Sequence, residues 1–463
     1  MPGAAPDPIP DLKSEPSPFP DRTPFQQNLE PAMSAVPTSP PLPQINAARL
    51  WDSLMSLASL GATPKGGVCR LALTDLDRQG RDRVTDWLRE AGCEIRVDAI
   101  GNVFAIRPGR RGNGMVGEGA QARPADDPAA LPVAVGSHVD TQPTGGRFDG
   151  NYGVLAGVEV VRALNDAGIQ TERPICVAIW TNEEGTRFTP VMMGSGVYAG
   201  AFSLDSSLAQ TDREGVTVAS ALAAIGYDGR DSAPRFAAYF EPHIEQGPVL
   251  ESEGITIGAV EGALGQRWFD ATVVGQDAHA GPTPLTMRRD ALLAAARVVQ
   301  AVRAIAAEAP DYARGTVGQL FVHPNSRNVI PGRVEFTVDL RNARDATLDA
   351  MVTRLHAEVD RIAQEERVTI ELREVVYFPP CAFDPVLVAG IERHAQALGY
   401  PVRRLASGAG HDAVYVARTC PSAMIFVPCE DGISHNEIEN AQPGDITAGA
   451  QVLLAAMLDA AAR

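Results

Sequence analysis

The sequence has few cysteines and no long apolar run. Its six cysteines are scattered over 463 residues without a Cys-x-x-Cys pair, which argues against a thiolate zinc site or a disulfide framework. No apolar stretch approaches the roughly 18 residues that a membrane helix needs, so we expect no membrane partner. The N-terminus lacks a basic segment followed by an apolar one. We therefore expect a cytoplasmic protein with reduced thiols.

Positive charge is also scarce. The chain has 40 Lys and Arg against 57 Asp and Glu, which gives a formal net charge of −17. Such an acidic balance argues against a nucleic-acid partner and says little about the fold. Most of the acidic residues are interpreted as solvated surface, and some remain as candidate metal ligands.

The length and the alternation of segments predict two domains of α/β class. Apolar strands such as LPVAVGSH and PICVAIW alternate with helices, which predicts a mixed, mostly parallel sheet covered by helices. We expect this catalytic domain at 45–253 and 373–463, with a smaller α/β sandwich inserted at 254–372. The Pro-rich residues 1–44 are predicted to be a disordered extension, and 109–130 a surface loop.

Only eight histidines occur, and five of them share one setting. They lie in Gly-rich or acidic loops that follow apolar strands, in GSHVD, EPHIEQG, DAHAGP, GAGHDA and GISHNE. His323, His356 and His394 lie elsewhere and are interpreted as structural. Since ligands gather where parallel strands end, the five loops together predict a metal site.

The stretch GSHVDTQPTGGRFDG supplies His138, Asp140 and Asp149 to that site. Hydrolases with two metals use imidazole and carboxylate ligands, one shared carboxylate, and a further carboxylate as general base. Glu183 and Glu184, which follow a buried strand, could divide binding and base duties. An adjacent pair of glutamates is also common on solvated surfaces, and spacing alone leaves open which aspartate binds metal.

The motifs together carry a resemblance. GSHVDTQPTGGRFDG, TNEEGTRF, EPHIEQG, DAHAGPTP, NVIPG, DLR, SGAGHDA and GISHNE follow one another as in the amidase, hydantoinase/carbamoylase family. That family is a branch of the di-zinc metallopeptidase clan of carboxypeptidase- and aminoacylase-type enzymes. The resemblance covers roughly residues 45–460. It implies a catalytic domain with an inserted dimerisation or lid domain, and a homodimer.

The resemblance also implies roles for individual residues. His138, Asp149 and His243 resemble the ligands of one metal, and Asp149, Glu184 and His435 those of the other. The cofactors implied are thus two divalent ions, zinc first, with manganese, cobalt or nickel as alternatives. Glu183 resembles the general base. Asp140 resembles an aspartate that hydrogen-bonds the imidazole of His138.

Further residues resemble substrate-binding positions. His279 matches a histidine that polarises the scissile carbonyl, commonly in the active site of the partner subunit. Asn328 and Arg341 match residues that bind the substrate carboxylate, although the first could be a turn residue and the second a surface ion-pair partner. Gln246 matches a glutamine of the substrate and metal site. Gly410, His411 and Asp412 match the glycine-rich motif SGAGHDA, where substrate contact and loop shaping are both open.

The function that the resemblance implies is hydrolysis of an N-carbamoyl amino acid to the amino acid, CO₂ and ammonia. Histidine in EPHIEQG, where peptidase relatives have a carboxylate, points to the carbamoyl-hydrolysing branch. N-carbamoyl-L-amino acids and N-carbamoyl-β-alanine, the β-ureidopropionase substrate of pyrimidine degradation, remain alternatives. So do allantoate and dipeptide-like or aminoacylase-like substrates. A metal-binding protein without catalysis would lack a ligand or the base, and none is missing here.

Overall fold

The computed structural model describes residues 42–117, 123–310 and 312–462. Most of the expected disordered extension lies outside these residues. Its end differs from the expectation, because the folded unit begins at Pro43, whose carbonyl accepts a hydrogen bond from Gln451 Nε2 at 3.0 Å. No helix in the described residues is long and apolar enough to cross a bilayer.

The described residues form the following strands and helices. The strands are β1 (Glu94–Val97), β2 (Val103–Arg107), β3 (Met115–Val116), β4 (Arg123–Pro124), β5 (Val133–His138), β6 (Ile175–Trp180), β7 (Ala238–Ile244), β8 (Ile257–Ala263), β9 (Gly265–Val274), β10 (Ala278–His279), β11 (Arg314–Thr316), β12 (Leu320–His323), β13 (Val329–Ile330), β14 (Arg333–Asn342), β15 (Thr369–Phe378), β16 (Cys381–Ala382), β17 (Val402–Ser407) and β18 (Ser422–Val427). The helices are α1 (Ala47–Ala58), α2 (Asp75–Glu90), α3 (Asn151–Asp166), α4 (Met193–Tyr198), α5 (Leu204–Leu208), α6 (Val218–Ile225), α7 (Val249–Glu253), α8 (Ala291–Glu308), α9 (Asp345–Glu366), α10 (Pro385–Ala397), α11 (Asp412–Val416) and α12 (Pro443–Ala461).

A mixed sheet of nine strands forms the main core in the described part of the chain. Its order is β1-β2-β6-β5-β7-β18-β8-β16, with β17 also paired to β8. The four central strands are parallel, whereas the pairs β2–β6 and β18–β8 on either side are antiparallel. Every residue of the central strands is buried, so both faces are covered. Helices α3 and α12 pack together against this sheet, as do α4 and α11. The predicted mixed α/β fold is confirmed.

A second, antiparallel sheet forms the smaller core. Its described order is β11-β14-β9-β15, with β12 also paired to β14, and α8 and α9 pack against it. Along β14, Val334, Phe336, Val338 and Leu340 are buried, and the residues between them are half-exposed. This alternation shows that one face packs on the helices and the other is open.

The boundaries of the insert differ from those expected at 254 and 372. Strand β8 belongs to the large sheet, where it pairs with β18, and β15 belongs to the small sheet, where it pairs with β9. The chain therefore changes sheets at Leu264 and again after Phe378. The first change was missed because a single residue separates β8 from β9, so the two strands look like one continuous strand-like segment in the sequence.

The expected surface loop at 109–130 carries a short hairpin. Strands β3 and β4 pair through Met115 and Pro124 and through Val116 and Arg123. Residues 118–122, between these two strands in the sequence, lie outside the described residues.

Candidate metal centre and substrate cavity

The candidate ligands lie where the four central strands end. His138 is the last residue of β5, and Glu183 and Glu184 follow β6. His243 is the second-last residue of β7, and His435 lies in the loop after β18. Because these strands are parallel, their carboxyl ends meet at one edge of the sheet. Residues far apart in sequence are thereby brought together.

Two groups of three side chains are close enough to hold a metal ion each. One consists of His138, Asp149 and His243, and the other of Asp149, Glu184 and His435, with the ligand atoms of each group within 4.8 Å of one another. Asp149 Oδ1 lies 3.2 Å from His243 Nε2 and 3.7 Å from His138 Nε2. Its Oδ2 lies 3.3 Å from His435 Nε2. The two oxygens of one carboxylate thus face different groups.

The imidazoles of the first group are oriented as metal ligands. Nδ1 of His138 and Nδ1 of His243 each lie 2.9 Å from a backbone carbonyl, of Asp140 and of Ile244. A carbonyl only accepts hydrogen bonds, so Nδ1 carries a proton and Nε2 faces Asp149. In the absence of a cation, burial lowers the pKa of His243, but hydrogen bonding to Asp149 outweighs it and the pKa rises to about 9. A divalent cation could replace that proton, so nitrogen and carboxylate donors here fit a metal.

Asp149 is held by neutral donors as well as by histidines. Gln246 Nε2 donates to its Oδ2 at 3.0 Å, and Ser434 Oγ lies 3.1 Å from the same oxygen. Ser434 also lies 2.8 Å from the carboxylate of Glu439, which accepts the backbone N–H of Phe148 and of Asp149. The carboxylate of Asp149 is therefore fixed in direction from both sides.

Gln142 contacts both carboxylate oxygens of Glu184. Gln142 donates to Glu184 Oε2 from its side-chain nitrogen at 2.7 Å and to Oε1 from its backbone nitrogen at 3.1 Å. Thr186 Oγ1 donates to the side-chain oxygen of Gln142, which fixes the orientation of the amide. Gln142 was not predicted as a site residue.

The contacts of Asp140 differ from those expected. His138 Nδ1 binds the backbone carbonyl of Asp140, whereas the Asp140 carboxylate lies 3.8 Å from that nitrogen. The carboxylate instead faces the backbone N–H of Glu183 at 3.4 Å and of Glu184 at 3.3 Å. Asp140 thus orients the imidazole through its main chain, and its side chain supports the turn that carries both glutamates.

Glu183 belongs to neither ligand group but faces them. Its Oε2 lies 3.5 Å from His138 Nε2. Burial raises the pKa of its carboxyl well above the usual range, and the charges of Asp412, Glu184 and Asp149 raise it further. A carboxylate in such a position can accept and return a proton near neutral pH.

A cavity of 420 Å³ opens above the candidate ligands. Predicted substrate residues Gln246, Arg341, Gly410 and His411 line it. His411 is buried, with Nε2 2.8 Å from Ser407 Oγ and its ring centroid 4.6 Å from that of His243. Asp412, by contrast, hydrogen-bonds Ser195 Oγ behind the cavity wall.

His279 and Asn328 lie elsewhere. His279 is the last residue of β10 and Asn328 directly precedes β13, and the carbonyl of Asn328 accepts the N–H of Ala280 at 2.9 Å. Both are exposed, and neither is among the described residues that line the cavity. Within one chain the structure therefore does not bring them to the candidate metal centre.

Sequence reasoning missed several buried polar residues around the site. Glu439 lies four residues after His435, and the alternation of acids in SHNEIEN gives no sign that this one is buried. Glu241 begins EPHIEQG and accepts from Ser137 Oγ and from the N–H of Ala413. The sequence could have indicated this residue, because Glu241 lies two residues before His243 and residues i and i+2 of a strand share a face.

Replacing Asp149 and Asp140 should have different consequences. Asp149→Asn removes the shared charge, so the purified protein should lose most of its bound divalent metal. Asp140→Asn keeps one acceptor for the two backbone N–H groups, so it should retain metal while activity falls by about 10- to 100-fold. Elemental analysis after dialysis, combined with a turnover assay, checks both. Equal metal loss in the two variants would contradict the assignment.

Comparison with known proteins identifies the family. The model of peptidase family M20/M25/M40 matches residues 134–459. An N-carbamoyl-L-amino-acid amidohydrolase of Rhizobium meliloti is 46% identical over 420 residues, which cover 90% of this chain and 97% of that protein. A ureidoglycolate hydrolase of Oryza sativa subsp. japonica is 34% identical over 424 residues, 89% of this chain and 84% of that protein.

Solved structures agree with this result. The crystal structure of an amidase of the hydantoinase/carbamoylase family from Burkholderia multivorans has a TM-score of 0.86 and 53% identity, and covers 91% of this chain and 100% of that one. The residues matched by the family model include all the candidate ligands. The chain belongs to peptidase family M20/M25/M40, whose members are metal-dependent hydrolases, and within it to the hydantoinase/carbamoylase amidases.

Proposed function

We propose that this enzyme hydrolyses N-carbamoyl-L-amino acids with apolar side chains to the amino acid, CO₂ and ammonia. The observation that carries the proposal is one cavity in which Asp149 joins two ligand groups, Glu183 faces them, and Arg341 lines the wall. Relatives named N-carbamoyl-L-amino-acid amidohydrolases, at 46% and 39% identity, support this substrate class.

The proposed cofactors are two divalent ions, one held by each ligand group. Bound there, they would supply Lewis-acid activation of a water molecule and of the ureido carbonyl. Zinc is the first choice, and manganese, cobalt and nickel are alternatives, because each accepts imidazole nitrogen and carboxylate oxygen.

Glu183 is proposed to move the proton. Its carboxylate takes a proton from the attacking water and returns it to the leaving nitrogen, which requires a pKa nearer neutrality than that of a solvated glutamate. Burial and the neighbouring carboxylates act in that direction. The backbone contacts from Asp140 hold the turn that carries Glu183, so its position is fixed before substrate binds.

The cavity wall supports the choice of substrate. Arg341 offers a guanidinium for the substrate carboxylate. Leu264, Trp268, Phe378 and Tyr415 give the wall a large apolar area. An apolar side chain would be buried there, and N-carbamoyl-β-alanine has none. Ureidoglycolate is the second candidate, favoured by the similarity to ureidoglycolate hydrolases.

Two copies of the chain are proposed to complete each active site. His279 and Asn328 are exposed and lie outside their own cavity, and Leu285 and Met287, close to His279 in sequence, are 79% and 70% exposed. Large exposed apolar side chains of this kind are typical of contact surfaces. A homodimer would cover them and bring His279 of one chain to the carbonyl oxygen of the substrate in the other.

Glu183→Gln should keep the fold and the metal but lose turnover. The amide cannot take the proton from water, so kcat should fall by about 10²- to 10⁴-fold. Metal content is measured on the same samples, and Glu253→Gln, an exposed glutamate outside the cavity, serves as control. Near-normal turnover with full metal content would show that Glu183 is not the base.

A panel of substrates tests the specificity. Ammonia release is measured with N-carbamoyl-L-methionine, N-carbamoyl-β-alanine, ureidoglycolate and allantoate after reconstitution with each metal. Burial of the methionine side chain should raise kcat/KM about tenfold or more over N-carbamoyl-β-alanine. A higher value for N-carbamoyl-β-alanine or ureidoglycolate would overturn the proposed substrate class.

Mixing two inactive variants tests the contribution of the second chain. His279→Ala and Glu183→Gln are each expected to be inactive alone. After subunit exchange, activity should recover to about a quarter of wild type, since half of the dimers are mixed and each restores one site of two. If proven mixed dimers stay inactive, His279 does not act across subunits.

A further inference from the structure

We propose that Asp339 is a positioning residue for substrate recognition, which orients Arg341 so that the guanidinium can bind the substrate carboxylate. The inference rests on the proposed function, which assigns that carboxylate to Arg341. Asp339 does not itself line the cavity in the described structure. Its effect would therefore be exerted through Arg341.

The strand register places the pair beside the cavity. Asp339 and Arg341 are two residues apart on β14, so both side chains point to the open face of the small sheet. Opposite them on β9 lie Trp268 and Gln266 respectively. Trp268, Gln266 and Arg341 all line the cavity, so the end of this open face forms part of its wall.

Arg341 is held on two sides. Its Nε donates to both oxygens of Asp339, at 3.2 and 3.0 Å, and Nη2 donates to Asp339 Oδ2 at 2.8 Å. Nη1 donates to the backbone carbonyl of Gly408 at 2.9 Å. Gly408 lies in the loop that also carries Gly410 and His411. The guanidinium is thus fixed between the small sheet and the loop beside the candidate metal centre.

The remaining donors match a carboxylate. A guanidinium has five N–H groups, of which Asp339 and Gly408 engage the one on Nε and one on each terminal nitrogen. One N–H therefore remains on each terminal nitrogen, and these are the donors left for a substrate carboxylate. The substrate can bind without displacing Asp339, so the aspartate supports recognition and does not compete with it.

A contribution to folding stability does not explain the ion pair between Asp339 and Arg341. The side chains of Asp339 and Arg341 are 28% and 29% exposed, and half-exposed ion pairs contribute little to folding. A free arginine side chain, however, has many rotamers, and binding must restrict them. Holding the guanidinium in place beforehand reduces that cost for the substrate carboxylate.

The test compares a carboxylate with a carboxamide. Selectivity is the ratio of kcat/KM for N-carbamoyl-L-methionine to kcat/KM for N-carbamoyl-L-methioninamide, measured on the metal-loaded enzyme. Arg341→Ala should lower it about 100-fold and Asp339→Ala about tenfold, through KM and with kcat within about twofold. Asp339→Asn, which keeps one acceptor, should fall between Asp339→Ala and wild type.

A double variant and a matched control sharpen the comparison. Asp339→Ala combined with Arg341→Ala should be no less selective than Arg341→Ala alone, because both act through one guanidinium. Asp270→Ala removes another ion pair of the same sheet, to Arg373, away from this cavity. It should leave selectivity unchanged.

The contrary outcomes separate the inference from the proposed function. If Arg341→Ala lowers selectivity but Asp339→Ala leaves it unchanged or raises it, only the positioning role of Asp339 is overturned. The positioning role is also overturned if the selectivity lost in the double variant is the product of the losses in the two single variants. If Arg341→Ala itself leaves selectivity unchanged, the carboxylate assignment in the proposed function falls, and the inference with it.

Discussion

The arrangement of the site depends on one carboxylate that faces two groups of ligands. Asp149 Oδ1 lies near His138 and His243, and Oδ2 lies near His435. Neither group has three ligands without it. The position of this one side chain therefore depends on three parts of the fold: the spacing of the central strands, the start of α3 and the loop after β18.

The chain next to Asp149 shows how closely that position is fixed. Gly150 has φ of 64°, and a Cβ there would meet the ring of His138 at 2.4 Å, so only glycine allows the backbone to pass the imidazole. On the other side, the backbone N–H groups of Phe148 and Asp149 are bound by Glu439. The bridging residue is thus held by its backbone as well as by its side chain.

The same packing buries five acidic side chains around the site. Asp140, Asp149, Glu183, Glu184 and Glu439 are all buried within this region. Buried carboxylates are costly unless cations or hydrogen bonds offset them. Two divalent ions would neutralise much of this charge, so we expect metal binding to stabilise the fold as well as to permit catalysis.

The sequence predicted the mixed α/β fold, because the apolar runs of the central strands are easy to recognise. The same runs put three candidate ligands at strand ends, whereas the ligand sets that include Asp149 came from the family resemblance. His138, His243 and Glu184 could be placed from such runs. The sequence did not predict that His138 binds the main-chain carbonyl of Asp140, since backbone acceptors leave no pattern in side chains. Nor did it predict Gln142, whose role depends on how the loop folds back to Glu184.

The placement of Asp149 between two ions is the central claim, and crystallography on the metal-loaded enzyme tests it most directly. Crystals of the zinc-reconstituted protein, measured at the zinc absorption edge, should show two anomalous peaks. Each should lie about 2.0–2.2 Å from a different oxygen of Asp149. A single peak at full occupancy in excess zinc, or two peaks of which one does not touch Asp149, would contradict the account.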